Sequence, residues 1–121
     1  METININGVE YVKKDDITKL TVAEPVDCLT FCIIRTYSAG VHAGYVKDRE
    51  GKYVTLVNAV RIWYWSGACS LSQLAVDGSA DIEKCKYSVT VPEIILTEAI
   101  EIIPCTEKAR KQIEEAKRWK K

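Results

Sequence analysis

The chain has 121 residues, 47% of them hydrophobic and 28% charged, with 17 Lys and Arg against 17 Asp and Glu. That is enough apolar material for one globular core and too little chain for two, and it excludes a disordered chain, which needs few hydrophobic residues and a large net charge. A formal charge of zero also excludes a protein that coats nucleic acid, an acidic tail and a polybasic membrane anchor.

The opening, METININGVEY, has neither a basic stretch nor an apolar one, so it does not read as a secretion signal. No apolar run approaches the roughly 20 residues that span a bilayer, and the expected location is the cytoplasm. Thr3–Ile6 and Val9–Val12 flank Asn7-Gly8, the strongest short hairpin signal. Lys13–Asp27 is polar and reads as a connection with a helical turn. Leu29–Tyr37 is rich in strand formers, Ser38-Ala39-Gly40 breaks it, and Val41–Lys47 resumes it. Asp48–Gly51 reads as a turn, followed by strands over Lys52–Asn58 and Val60–Trp65. Connections this short predict antiparallel pairing.

Ser70-Leu71-Ser72-Gln73 is a capping box, and Gly78 suits a left-handed stop, which predicts a short helix over residues 70–77 with Leu71, Leu74 and Ala75 inward. Two strands follow, Lys86–Val91 and Ile94–Ile103, separated by Pro92-Glu93. Thr106 can cap a last helix running to about Trp119, with Ala109, Ile113 and Ala116 at helical spacing and Glu107–Lys111 and Glu114–Arg118 as i,i+4 pairs. The expected architecture is α+β: a single domain over residues 1–121, an antiparallel meander with a short central helix and a C-terminal helix.

The five cysteines, Cys28, Cys32, Cys69, Cys85 and Cys105, are odd in number, and only Cys28 and Cys32 are close in sequence. With His42 as the single histidine, neither a disulfide framework nor a metal site is expected, and the thiols read as small, reduced, buried apolar groups. One histidine also leaves little for acid–base catalysis, and the sequence has no G-x-S-x-G, H-x-x-E or phosphate-binding glycine loop. Asp77, Asp81 and Glu83 cluster after a helix end, where a solvated loop is the ordinary explanation. No catalytic residue and no cofactor is expected.

Three blocks can bind. In a strand, Arg61, Trp63 and Trp65 share one face, where a guanidinium and two indoles can stack bases and meet phosphate. The alternative reading makes the tryptophans core residues with Arg61 reaching solvent. Gly67 and the capped helix start behind them offer free backbone amides to an anion. Arg35 and Tyr37 likewise share a face, in a hairpin whose Gly40 and Gly44 suggest a bulge or a close backbone approach. Residues 108–121 carry seven Lys and Arg against two Glu, an excess of +5 that the rest of the chain offsets with −5. This basic end either is solvated or lends arginines to a pocket, and it can meet an acidic surface of a neighbouring subunit.

The strings RTYSAGVHAGYV, VNAVRIWYWSGACSLSQLA and VPEIILTEAIEIIPCTEKARKQIE, which fall within residues 29–115, resemble the phage-encoded Thoeris anti-defence sponge proteins. The resemblance implies a non-enzymatic binding protein in the host bacterial cytoplasm. Such proteins sequester cyclic ADP-ribose isomers, glycocyclic ADP-ribose above all, that TIR-domain enzymes make from NAD. Some members also hold cyclic di- or trinucleotides of CBASS signalling at a separate site. It further implies a homo-oligomer, dimer or hexamer, with ligands at subunit interfaces; the charge balance and the lack of an apolar span add the expectation of no membrane and no long nucleic acid as partner. Joined to the residue reading, it selects Arg35, Tyr37, Arg61, Trp63 and Trp65 as ligand-binding, Asn58 and Ser70 as polar helpers, and Arg110 and Arg118 as arginines from the last helix. Two other classes stand beside it: an enzyme that opens the same signal, and a small module whose tryptophan face docks protein or RNA.

Overall fold

β-Branched and aromatic residues concentrate in the middle of the chain, and there they build a six-stranded antiparallel sheet. The computed structural model describes strand residues 3–6 and 9–12 and all of residues 20–119. In chain order the elements are β1 (Thr3–Ile6), β2 (Val9–Val12), β3 (Thr30–Thr36), β4 (Val41–Glu50), β5 (Tyr53–Tyr64), α1 (Leu71–Asp77), a 3-10 turn (Ile82–Lys84), β6 (Lys86–Tyr87), β7 (Val91–Leu96), β8 (Ala99–Pro104) and α2 (Glu107–Glu115). The class is α+β, as expected. β1 and β2 pair on their own with Ile6 opposite Val9, the register of a two-residue hairpin. The helical turn expected between Lys13 and Asp27 falls outside the described residues as far as 19, and residues 20–27 contain none.

β3, β4 and β5 form the expected meander, but the sheet as a whole is not one. β7 pairs with β5 and β8 pairs with β3, so consecutive strands lie on opposite sides of the meander. Only Thr97 and Glu98 separate Leu96 from Ala99. Three backbone steps reach about 11 Å, whereas the outer strands of a flat five-strand sheet lie about 19 Å apart. The sheet therefore has to curl until its two sides approach. Inside the curl sit Cys32, Ile34, Val54, Leu56, Ala59 and Leu96. On the outer face Phe31, Ile33, Tyr45 and Ile62 pack under Leu74 of α1 and Ile113 of α2.

The curl needs a change of phase within β5. Pairing with β4 steps from Ala43 opposite Val60 to Tyr45 opposite Val57, and Asn58 takes a positive φ of 51°. This bulge joins into one strand what the sequence reading split at Ala59. Gly44 lies against it, where a Cβ would stand 3.1 Å from both Cα and Cβ of Ala59. Pro92, expected between strands, lies inside β7 at the position facing Asn58, since Glu93 pairs with Val57 and Val91 with Ala59. A residue without N–H is tolerated where the bulge already interrupts the ladder. Three other boundaries shift. β4 continues to Glu50 and its turn tightens to Gly51-Lys52. β6 is only Lys86–Tyr87. The expected strand over Ile94–Ile103 is cut at Thr97-Glu98.

Both caps form as read. Ser70 Oγ accepts from the Gln73 N–H, Gln73 Oε1 accepts from the Cys69 N–H at 2.7 Å, and Thr106 Oγ1 accepts from the Ala109 N–H. Thr106 also donates to the Val76 carbonyl at 2.6 Å, tying the start of α2 to the end of α1. Tyr45 fastens α2 to the sheet: its ring meets Phe31 edge-on at 5.0 Å and its hydroxyl donates to Glu114. Burial and that carboxylate together push the Tyr45 hydroxyl above its ordinary pKa. α2 ends at Glu115, short of the expected Trp119. Its salt bridges run from Arg110 to Glu107 and Glu114, not through Lys111 or Arg118.

All five cysteines are free. Burial pushes the Cys32 thiol up to about 11 and the Cys105 thiol up to about 12, but Cys28 and Cys69 are exposed, against the expectation that the thiols are buried.

Gly78 closes α1 with φ 74° and ψ −164°, a combination open essentially to glycine alone, and an added Cβ would strike the Gln112 carboxamide. That carboxamide holds both Ser79 backbone groups, at 2.6 and 2.7 Å. Gly78→Ala should therefore cost about 2–3 kcal/mol, read as a lower urea midpoint with an unchanged denaturant slope.

Candidate functional site

Side chains paired across strands share a face, so the register sorts the expected binding residues. Ile34, His42 and Arg61 form one row, which faces the inside of the curl together with Ile34's cluster. Arg35, Val41 and Ile62 form the next row, on the face that carries the helices. Arg35 and Arg61 thus stand on opposite faces. Arg35 is half exposed and pairs with Glu101 of β8 at 3.1 Å, an ion pair worth under about 1 kcal/mol. Tyr37 follows β3, is 79% exposed, and donates its backbone N–H to the Glu98 carbonyl. Asn58 is the exposed bulge residue.

Trp65 does not share a face with Arg61 and Trp63. β5 ends at Tyr64, and Trp65 turns to pack on the outer-face core. Trp63 is 60% exposed and meets Trp119 edge-on with ring centroids 5.5 Å apart. Lys86 Nζ lies 5.2 Å from the Trp119 ring centre, within cation–π range. Trp119 arrives there because the chain turns back after α2: its backbone N–H donates to the Tyr87 carbonyl at 2.7 Å. Arg118 makes that return possible. Its guanidinium donates to the carbonyls of Ile113, Ala116 and Glu114 at the open end of α2 and to Thr90 Oγ1.

Arg110 is committed as well, to Glu107, Glu114 and the Tyr45 hydroxyl, contacts that raise its pKa, with Glu107 the largest cause. Ser70 spends its hydroxyl on the Gln73 amide, and Gln73 occupies the Cys69 amide, so two of the N–H groups at the α1 start already have partners. Of the expected residues, the fold brings together Arg61 and Trp63. It keeps Arg35, Tyr37, Trp65, Ser70, Arg110 and Arg118 in other places or other bonds.

Two hollows flank the indole pair. Trp119 borders an open groove of about 1100 Å³ whose other lining includes Tyr64, Lys84, Cys85, Lys86 and Lys117. Trp63 borders a smaller cavity of about 220 Å³ that reaches His42 and Arg61. Lys117 belongs to the basic end that the sequence marks, whereas Lys84 and Lys86 carry no such signal. Lys84 and Lys86 alternate across Cys85 where the 3-10 turn passes into β6, a spacing too common to signal binding. Nothing local in the sequence pairs Trp63 with Trp119, since a turn after α2 makes the contact. Among the described residues, no group of three or more His, Cys, Asp and Glu side chains gathers as a metal site, and no helix is long and apolar enough to cross a membrane.

His42 is 1% exposed. Burial, and next the Arg61 charge, push its imidazole down to about 4 from the ordinary 6.5. Between those two values the unfolded ring binds a proton that the folded ring refuses, so stability falls as pH drops through that window, by about 3 kcal/mol in all. Urea midpoints at about pH 7 and about pH 4.5 should therefore differ more in the native protein than in His42→Gln, because the carboxylate titration common to both cancels.

Comparison with curated proteins and comparison with solved structures each return no match. A family profile matches residues 29–113, from the approach to β3 through most of α2, and leaves out the N-terminal hairpin. That is well over half of the chain, and the protein belongs to the family described as a domain of unknown function (DUF6948).

Proposed function

We propose that the protein is a non-enzymatic sponge that binds a cyclic ADP-ribose isomer, such as glycocyclic ADP-ribose, and withholds it from bacterial immune signalling. The observation that carries the reading is the indole pair: Trp63 and Trp119 are 60% and 51% exposed, edge-on to each other, with Arg61 and Lys86 beside them. Indoles held in the open by a return of the backbone add little to the core, and their faces suit a base, while the neighbouring cations suit a pyrophosphate. The three sequence strings that resemble Thoeris anti-defence sponges agree with this chemistry and supply the choice of ligand. Binding a nucleotide needs stacking and charge, and neither calls for a general base.

A second copy of the chain is part of the proposal. The groove at Trp119 is open on one side, and an interface closing it would remove the ligand from water and slow its escape. A separate position for cyclic di- or trinucleotides, and a place in the bacterial cytoplasm, belong to the same reading.

The test mixes stoichiometric protein with glycocyclic ADP-ribose, removes free ligand, and denatures the complex. Intact ligand should be recovered in proportion to protein. Clearance of excess ligand by catalytic amounts of protein would make it an enzyme, and absence of any binding heat would leave the interaction-module class. Trp63→Ala should weaken binding roughly 5- to 100-fold with an unchanged circular dichroism spectrum, because the ring is mostly outside the core. The elution mass of the native protein should exceed that of one chain.

A further inference from the structure

His42 stands directly opposite Arg61 across β4 and β5 and is buried. Its Nε2 accepts from Arg61 Nε–H at 3.3 Å. A neutral imidazole that accepts at Nε2 carries its proton on Nδ1, and that buried Nδ1 has no partner among the described residues. A buried donor left unpaired costs stability, and an aliphatic side chain at this position would avoid the cost. What the imidazole supplies and a leucine would not is an acceptor for Arg61. At neutral pH that acceptor is available, because burial, and next the Arg61 charge, hold the ring pKa down at about 4.

Arg61 is also fixed from the other side of β5. Its backbone N–H donates to Ser88 Oγ at 2.8 Å, and its carbonyl accepts from the Ser88 N–H at 2.9 Å. Ser88 thus holds the backbone and His42 the side chain. An untethered arginine spreads over many rotamers, whereas a hydrogen bond at Nε sets the plane of the guanidinium. The two Nη groups make no hydrogen bond among the described residues, and they form the end of the fork that matches a pair of phosphate oxygens. Arg61 and Trp63 border the same hollow of about 220 Å³, so an anion held by that fork lies close to the exposed indole.

We propose that His42 is a positioning residue: through Nε2 it fixes the Arg61 guanidinium so that both Nη groups meet one phosphate of the ligand, while His42 itself touches no part of that ligand. The inference deepens the sequestering reading and rests on it for the phosphate. It accounts for a buried ring whose second nitrogen goes unpaired, since the stability lost there is exchanged for an arginine ordered before the ligand arrives. A pre-ordered cation binds more tightly because less freedom is lost on binding.

The test titrates pyrophosphate and glycocyclic ADP-ribose, by calorimetry, into the native protein, His42→Leu, Arg61→Gln and the double variant. His42→Leu should weaken both probes about two- to tenfold, the cost of ordering one long side chain on binding. In the Arg61→Gln background the same change should cost nothing further. His42→Gln, whose carboxamide oxygen can accept the Arg61 N–H, should recover most of the loss. Equal losses from His42→Leu with and without Arg61, or no loss in either background, overturn the proposal. Should His42→Leu fail to fold, native protein labelled with 15N-arginine decides. The Arg61 Nε–H signal, identified by its absence from Arg61→Gln, should exchange with water more slowly than that of the exposed Arg35 and should move when pyrophosphate is added. Exchange as fast as at Arg35, or a signal that pyrophosphate leaves in place, overturns the proposal. A protein that binds glycocyclic ADP-ribose without coupling between the two positions loses the positioning role and keeps the sponge. Coupling measured with pyrophosphate in a protein blind to every cyclic isomer supports the role and removes the sponge, and binding of neither probe overturns both.

Discussion

Two residues, Thr97 and Glu98, carry the chain from a strand beside β5 to a strand beside β3. Because that link is shorter than a flat sheet is wide, the sheet curls round, and each of its faces carries a buried cluster. Much else follows from this curl. The inner face needs small side chains where strands crowd, hence Gly44 against Ala59. Strand β5 must change phase to serve both faces, hence the bulge at Asn58 and the tolerance of Pro92 opposite it. The helices have one place left, the outer face, where Tyr45 and Thr106 pin them.

Within such a shell, cations sort by whether their bonds are already spent. Arg110 is enclosed by two carboxylates and a phenol, and Arg118 by the carbonyls at the end of a helix. Neither guanidinium can turn to a phosphate without leaving those groups unpaired. Arg61 is different: among the described residues its one side-chain partner is a neutral ring nitrogen, and its terminal nitrogens make no hydrogen bond there. The same contrast divides the aromatics: Tyr45 and Tyr87 are core, Trp65 is half in it, and Trp63 and Trp119 meet outside.

Local signals were readable where the physics is local. The Asn-Gly hairpin, the Ser70 and Thr106 caps, the Gly78 stop and the antiparallel pairing of β3, β4 and β5 all depend on residues a few positions apart. What escaped depends on distant neighbours. A one-residue bulge in β5 reads as a gap between strands, and Pro92 reads as a breaker unless the bulge facing it is known. Alternation placed Trp65 beside Arg61 and Trp63, but alternation ends with the strand at Tyr64. The pairing of Trp63 with Trp119 and of His42 with Arg61 required the three-dimensional register. Their shared chemistry, exposed aromatic rings next to an uncommitted guanidinium, was legible only in part, through the run from Arg61 to Trp65.

The partnership of β3 with β8 also governs how the protein is made. Arg35 and Glu101 face each other across that pair although 66 positions separate them. During synthesis β3 emerges early, paired on one side by β4, and its other side keeps open N–H and C=O groups until residues 99–104 leave the ribosome. An open strand bearing Phe31, Ile33 and Ile34 is a template for unwanted pairing between chains. The last quarter of the sequence thus acts as the seal on the first strand of the main sheet, and a message cut short before β8 yields a sticky fragment rather than a smaller working domain.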